Sequence, residues 1–222
     1  GARVDPASRM WSGKVITKSW FRGIFVEAAW QTWDNLEHQL RPLLAAESTD
    51  HWQLTQAWHV AHALPLTDAP KLTRWQQTLA RYPDALQARL VADAIAAWAE
   101  PHWYPLSAVN AWPLVHRNAR MSVAARLIRE VENLLRLLFA LNRQWEPDYK
   151  WLWPESERLG RKPDRLAERV NDIFATPDAA RSVQLCFELI LDTLRLVPAP
   201  YDVTLQIGRV REALAPARLL QR

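Results

Sequence analysis

The chain has 222 residues, of which 49% are hydrophobic and 23% are charged, so it is long enough and apolar enough to bury a core. Its formal charge of +4 is too small to indicate nucleic-acid binding by itself, and no apolar run is long enough to span a bilayer. Because Cys186 is the single cysteine, a disulfide framework within the chain is excluded, and we expect a reduced, cytoplasmic setting.

The first part of the chain differs in composition from the rest. Residues 14–29 are rich in β-branched and aromatic types, with Gly23 between two such runs. This pattern predicts one or two strands, or a hairpin, because these side chains suit a pleated surface. The five glycines of the chain are few, which argues against an architecture built mainly from strands.

Helical periodicity begins after this β segment. The predicted helices have apolar residues at three- and four-residue steps, with proline between them. The first is marked by Trp30, Trp33, Leu36 or Glu37, Leu40 and Leu44. The second begins at Asp50, the third has Asp68 as its N-cap, and the fourth opens at Pro83 and Asp84. Residues 120–143 form the longest, and three more are predicted over 163–174, 177–197 and 203–220.

The longest predicted helix has one continuous apolar stripe. It is formed by Leu127, Val131, Leu134 or Leu135, Leu138 and Leu141. The fold class that follows is mainly α: an antiparallel helical bundle preceded by a small β remnant. We place the domain boundary near residue 48, so that residues 1–48 hold the strands and a helix and residues 49–222 hold the bundle.

The segment that follows the longest helix has the most distinctive composition. Asn142 and Arg143 lie in the last turn, and Trp145, Tyr149 and Trp151 surround Lys150 in a predicted loop. Cations beside flat rings are suited to an anionic, ring-bearing ligand, because Lys and Arg hold phosphate and aromatic rings stack on a base. In the alternative, the cations complement the helix dipole and the rings fill the end of the bundle.

Two carboxylates are candidates for chemistry. Glu132 lies beside the apolar stripe and is either a general base at the edge of a cleft or a surface residue paired with Arg129 or Arg136. Glu27 follows an apolar run on a predicted strand and is either a metal or active-site ligand or an exposed strand end. The six histidines have no metalloprotease spacing, and the sequence lacks the nucleophile-elbow, P-loop and dinucleotide motifs.

Three segments carry a resemblance to a known family. Residues 141–152, Leu-Asn-Arg-Gln-Trp-Glu-Pro-Asp-Tyr-Lys-Trp-Leu, resemble an "LNxxxxPxxKWL" pattern. The segment Ala63–Leu72 and the pair Tyr82-Pro83 resemble a "pLxDxxGxL…YP" linker, with Pro70 where the pattern often has Gly. Both patterns are typical of DUF4037-type, nucleotidyltransferase-like proteins, relatives of the kanamycin and streptomycin nucleotidyltransferases. The resemblance covers residues 14–197 and is strongest over 130–152.

The resemblance implies a function. Such proteins transfer a nucleoside monophosphate from an NTP to a hydroxyl acceptor, with Mg²⁺ held by carboxylates of an α/β domain and with a helical domain closing over nucleotide and acceptor. On this basis Glu27 corresponds to the third catalytic and metal-binding acid, and Glu132 to an acceptor-side base. Lys150 corresponds to a phosphate contact, and ATP is the expected nucleotide. With the residues singled out by composition, the predicted nucleotide- and phosphate-binding set is Asn142, Arg143, Tyr149, Lys150 and Trp151.

The chain also departs from that family. No Gly-Ser turn followed by an Asp-x-Asp pair precedes Glu27. A single acid cannot hold the two metals of phosphoryl transfer. Two interpretations therefore remain: the catalytic segment lies outside this sequence, or the chain is a non-catalytic helical module that binds a ligand or a protein.

Self-association is a third expectation. The chain has thirteen tryptophans, more than a core of this size needs. An exposed patch would mark an interface, and the candidates are Trp30, Trp33, Trp52 and Trp58. The expected partners are therefore a nucleotide, an unidentified hydroxyl acceptor and a second copy of the chain, with neither membrane nor nucleic acid.

Overall fold

The structure is a computed structural model that describes residues 9–11, 14–66, 69–99 and 111–220. Side chains are described for residues 16–66, 69–98 and 111–214. The predicted N-cap at Asp68 lies outside these residues. The third helix begins at Pro70, and the residue in its N-cap position is Ala69, whose side chain cannot accept a hydrogen bond.

A small antiparallel sheet forms the N-terminal part, in the order β1 (Arg9–Trp11), β2 (Lys14–Phe21) and β3 (Ile24–Trp30). Strands β2 and β3 are joined by the two-residue turn Arg22-Gly23, in which φ is 49° and 80°. Two successive positive φ angles match the twist of a hairpin, and glycine adopts this conformation without strain. The predicted hairpin is confirmed.

The apolar side chains of this hairpin are exposed. They are Trp20, Phe21, Ile24, Phe25, Val26 and Trp30. Assigning Trp30 to the first helix was wrong, because it is the last residue of β3 and is 64% exposed. The predicted tryptophan patch also needs correction: Trp58 is buried in the helical core, whereas Trp33 and Trp52 are half-buried.

Ten helices follow in the described part of the chain. They are α1 (Trp33–Leu44), α2 (His51–Ala61), α3 (Pro70–Leu79), α4 (Asp84–Ala99), α5 (Ala111–His116), α6 (Arg120–Leu141), α7 (Tyr149–Glu157), α8 (Leu166–Ala175), α9 (Ala179–Leu194) and α10 (Thr204–Leu220). Several begin with a side chain that accepts a backbone N–H: Thr32 caps α1 and Asp50 caps α2. The helix start predicted at Asp50 is confirmed.

Helix α6 lies at the centre of the helical part and packs against α4, α5 and α9. Its predicted stripe is confirmed, because all the stripe residues are buried. The core continues through Leu86 of α4 and through Phe187 and Leu189 of α9, all fully buried. Cys186 is also fully buried, and this burial raises the pKa of its thiol well above the ordinary value.

The predicted fold class, mainly α with a small β segment at the N-terminus, is confirmed. The boundary predicted near residue 48 falls between α1 and α2 and stays a prediction. Helix α1 contributes Leu36, Leu40 and Leu43 to the same core as α2. No described helix is both long and apolar enough to cross a bilayer.

Candidate ligand-binding face at the start of helix α7

The segment after α6 becomes helical earlier than the sequence indicated. Asp148 has an extended backbone, and its carboxylate accepts the backbone N–H of Lys150 at 2.8 Å, so that α7 begins at Tyr149. Predicting a loop through Trp151 was therefore wrong. Because Tyr149, Lys150 and Trp151 occupy one helical turn, they are held on a regular backbone.

These three residues are exposed, and with His51 and Arg136 they form what we call the α7 face. Tyr149 is 67% exposed, Trp151 is 49% exposed, and Lys150 is also exposed. The ring of Trp151 lies parallel to that of buried Trp58, with 6.1 Å between centroids. The first turn of α7 therefore exposes one cation and two aromatic rings, as the composition of the segment predicted.

Trp145 does not belong to this face. It is 6% exposed, its indole N–H donates to the carbonyl of Leu79 at 2.9 Å, and its ring lies 4.6 Å from that of Tyr82. Placing Trp145 beside Lys150 was wrong. The residue ties the connection between α6 and α7 to the end of α3, so it fills the core as in the alternative interpretation.

A buried carboxylate lies beneath the face. Glu146 is 5% exposed, and its two oxygens have different partners. Oε1 lies 3.0 Å from Nδ1 of His51 in α2, and Oε2 accepts from Nε of Arg136 in α6 at 3.2 Å. A buried carboxylate needs such partners, because leaving it unpaired is costly. One acid thus holds a histidine and an arginine from two helices.

Tyr149 and Glu132 form a second polar contact on the same side. The tyrosine hydroxyl donates to Oε1 of half-buried Glu132 at 3.0 Å. This hydrogen bond raises the pKa of Tyr149 because it stabilises the neutral phenol. Neither of the predicted arginine partners of Glu132 has a described ion pair with it. For Glu132 to act as a base, either Tyr149 must release Oε1 or the substrate proton must transfer to Oε2.

Glu27 lies on the exposed sheet and pairs with Lys18 of the neighbouring strand at 2.9 Å. The hydrogen bond from Lys18 lowers the pKa of Glu27, and the charge of Lys150 lowers it further. The lysine of the α7 face is therefore close enough to Glu27 to act on it electrostatically. This electrostatic effect links two predicted site residues that are 123 positions apart in the numbering.

The side chains of Asn142 and Arg143 have structural partners. Asn142 is the C-cap of α6, and its amide both donates to the carbonyl of Arg161 and accepts from the N–H of Arg161 at 2.8 Å. Arg143 adopts a left-handed conformation, with φ of 54°, and pairs with Asp84 at the start of α4. Asn142 and Arg143 do not belong to the α7 face as defined above, and their role in nucleotide binding stays a prediction.

The acidic and imidazole side chains do not assemble into a metal centre in the described part of the chain, where no group of three or more His, Cys, Asp or Glu converges. Glu27, the predicted metal ligand, has Lys18 as its partner and lacks a second described acid beside it. Mg²⁺ is usually held by more than one oxygen-bearing group. The described residues alone therefore do not fit the ion.

A buried ion pair in the interior was missed by sequence reasoning. Arg126 and Glu130 are 4% and 5% exposed and lie 3.6 Å apart on α6, and Trp98 donates to Glu130 at 2.8 Å. Burial raises the pKa of Glu130 and lowers that of Arg126. The available signal was the spacing of four residues, directly beside the apolar stripe at Leu127 and Val131.

The sign of the His51 shift gives a testable stability effect. The hydrogen bond that His51 donates to Glu146 raises the pKa of His51 above 6.5, against the opposing effect of burial. Because the folded pKa exceeds the unfolded one, this stabilisation is complete below about pH 6.5 and is lost as pH rises through the folded pKa. We expect Glu146→Gln to cost about 0.5–1 kcal/mol more at about pH 6 than at about pH 8.5.

Urea denaturation of wild type and Glu146→Gln at the two pH values measures this difference. Glu155→Gln is the control, because Glu155 pairs with exposed Arg158 and has no histidine partner described. An equal cost of Glu146→Gln at both pH values would show that the His51 contact contributes nothing to stability.

Residues 55–152 match the profile of a domain of unknown function, DUF4037. The matched segment begins within α2 and ends at Leu152 of α7. It includes four of the five residues of the α7 face and leaves out His51. The DUF4037 part of the resemblance is confirmed over these residues, whereas residues 14–54 and 153–197 lie outside the match. Neither the curated proteins nor the solved structures contained a significant match.

Proposed function

We propose that the α7 face binds the phosphates and the base of a nucleotide, and that the chain is the C-terminal portion of a nucleotidyltransferase-like protein. The observation that carries the proposal is the first turn of α7, which exposes Lys150 between Tyr149 and Trp151. A lysine neutralises phosphate as a point charge, and a half-exposed indole offers a ring for stacking.

The charges around the face support an anionic ligand. His51 and Arg136 lie next to Tyr149 and share the single carboxylate of Glu146, so the three groups carry a net positive charge when His51 is protonated. The carboxylate of Asp148 accepts the backbone N–H of Lys150 through Oδ1, and its Oδ2 lies 3.4 Å from Nε2 of His59. The acid that remains near Lys150 is Glu27, which already has Lys18.

In the full reaction that we propose, a hydroxyl oxygen of an acceptor attacks the α-phosphorus of ATP, and pyrophosphate leaves. Mg²⁺, where bound, would neutralise the phosphates. Lys150 holds and orients the phosphate chain, and the rings of Tyr149 and Trp151 exclude water from one side of the base. Glu27 would help to hold Mg²⁺ only together with acids from outside the described residues, and Glu132 would accept the acceptor proton once Tyr149 moves away.

The test is replacement of Lys150 by alanine. We expect the dissociation constant for ATP to rise about tenfold, because a hydrogen bond between charged groups contributes about 1.5–3 kcal/mol. Isothermal titration calorimetry of the full chain with ATP, with and without Mg²⁺, measures it. The effect should shrink at high salt, since an exposed ion pair is screened.

Lys71→Ala is the matched control. Lys71 is also the second residue of a helix, α3, and is also exposed, but it lies near Glu37 and away from the α7 face. We expect its dissociation constant to equal that of the wild type. If ATP does not bind, or if both lysine variants bind as tightly as the wild type, Lys150 has no role in nucleotide binding.

The second candidate is a non-catalytic helical module that binds a ligand or a partner protein. Two observations favour it. The hairpin exposes apolar side chains that a partner protein could cover, and Glu27 pairs with Lys18, whereas a metal site would need a second acid beside it. The two candidates differ in their dependence on Mg²⁺. A nucleotidyltransferase-like site should bind ATP more tightly with Mg²⁺ and lose this gain in Glu27→Gln, whereas a module without metal chemistry should show no such gain.

A further inference from the structure

Glu146 contacts His51 and Arg136, and each of these two side chains has further N–H groups that Glu146 does not bind. His51 is bound through Nδ1, so its Nε2 lies at the opposite edge of the ring, and a third of the side chain is exposed. Arg136 is bound through Nε, and 35% of its side chain is exposed, which leaves its terminal nitrogens outside that contact. One buried acid therefore orients two partly exposed donors.

These donors belong to the part of the α7 face that is next to Tyr149. The ring of His51 is 5.8 Å from that of Tyr149, the residue before Lys150. Three acids lie near these donors. Glu146 and Asp50 raise the pKa of His51, whereas the charge of Arg136 lowers it. The third acid, Glu132, accepts a hydrogen bond from the hydroxyl of Tyr149. Glu146 and Glu132 are each engaged by a hydrogen bond, so the donors of His51 and Arg136 are the parts of this group that suit an added anion.

We propose that His51 and Arg136 form a phosphate-binding subsite that takes up a proton with its ligand. The imidazolium Nε2–H and the terminal N–H groups of Arg136 donate to phosphate oxygens, while Glu146 positions both side chains from below. Neutral His51 has its proton on Nδ1 toward Glu146, so Nε2 takes one proton from solvent as the ligand binds. The subsite rests on the proposed function, in which it holds the phosphate end of the nucleotide.

The sign of the linkage follows from the charge states. A phosphate next to His51 stabilises the imidazolium, so bound ligand raises the pKa of His51 further, and binding is tightest below that pKa. Binding weakens as pH rises and the imidazole becomes neutral. The ligand's own ionisation is the same for every variant, so it cancels in a comparison between proteins.

The experiment uses the full chain and inorganic tripolyphosphate, which carries the phosphates without the base. For His51→Gln we expect about tenfold weaker binding than wild type at about pH 6 and a difference below about twofold at about pH 8.5. Calorimetry in two buffers of different ionisation enthalpy should show proton uptake by the wild type near neutral pH and a smaller uptake by His51→Gln.

His116→Gln is the control, because His116 is exposed at the end of α5, near the N-terminus of α6. Helix α6 has 22 residues and spans about 33 Å, so His116 lies far from Arg136 and Glu146. Its affinity and proton uptake should equal those of the wild type. A ¹⁵N-imidazole titration then reports the pKa of His51 directly, with and without tripolyphosphate, and does not depend on a substitution.

The outcomes separate this inference from the proposed function. Weaker tripolyphosphate binding by His51→Gln at low pH only, with a raised pKa of His51 in the complex, supports the subsite. If ATP binding needs Lys150 but neither His51→Gln nor pH changes it, the subsite is refuted and the proposed function stands. If tripolyphosphate binds as expected and ATP binds no more tightly than tripolyphosphate, the subsite stands and nucleotide recognition fails. The absence of binding by either probe overturns both.

Discussion

Replacement of Phe187 by alanine is expected to lower the free energy of unfolding by about 4 kcal/mol, one of the two largest losses we predict for a single substitution in this chain. Phe187 is fully buried in α9, a helix that packs against central α6 and against α8 and α10. Removing the ring forfeits its transfer free energy and leaves a cavity that neighbouring leucines fill incompletely. Urea denaturation followed by far-UV circular dichroism measures the loss.

Phe174→Ala is the matched control for this prediction. Phe174 is an aromatic residue of neighbouring α8, but it is 45% exposed. Its truncation should cost less than about 1 kcal/mol, because much of its surface already contacts water. Equal costs for the two substitutions would mean that α9 does not pack as described.

The second large effect is expected at Trp145. Trp145→Ala should cost about 3–5 kcal/mol, since it removes a buried ring and also leaves the carbonyl of Leu79 without its donor. Trp145→Phe should cost less, because phenylalanine retains contact with Tyr82 and loses only part of the indole volume and its N–H. The free energy of unfolding of both variants in urea tests this order.

Trp151→Ala provides the contrast. Trp151 is half exposed on the α7 face, so its truncation should change stability by less than about 1 kcal/mol. It should instead weaken ATP binding, because stacking of a base on an aromatic ring contributes about 1–3 kcal/mol. A large stability loss in Trp151→Ala with unchanged ATP affinity would show that this ring also belongs to the core.

The positions of the long helices could be predicted well from the sequence. The stripe on α6 is continuous over several turns, and a repeat of this length has one stable arrangement, with the stripe facing the core. Asp50 also marks the start of α2, because a carboxylate at the N-cap satisfies a backbone N–H that otherwise has no partner. Both signals are local, so one sequence is enough to recognise them.

The short elements could not be predicted in the same way. Helix α7 has nine residues, contains Pro154 and begins with aromatic residues, so its intrinsic helix propensity is low. It forms because Asp148 caps it and because Leu152 packs into the core. Trp30 shows the same limit, since a tryptophan spaced three residues from Trp33 fits a helix until the pairing of β3 with β2 is known.

The sequence by itself determined the helical character, the hairpin at Gly23, the burial of Cys186 and the concentration of rings and cations around Lys150. Composition and periodicity are properties of neighbouring residues, so they need no fold to be seen. The tertiary structure alone decided that Trp145 faces inward while Trp151 faces outward, and that Glu146 joins His51 to Arg136. His51 and Glu146 are 95 residues apart, and only the folded chain places the segment between α6 and α7 beside α2.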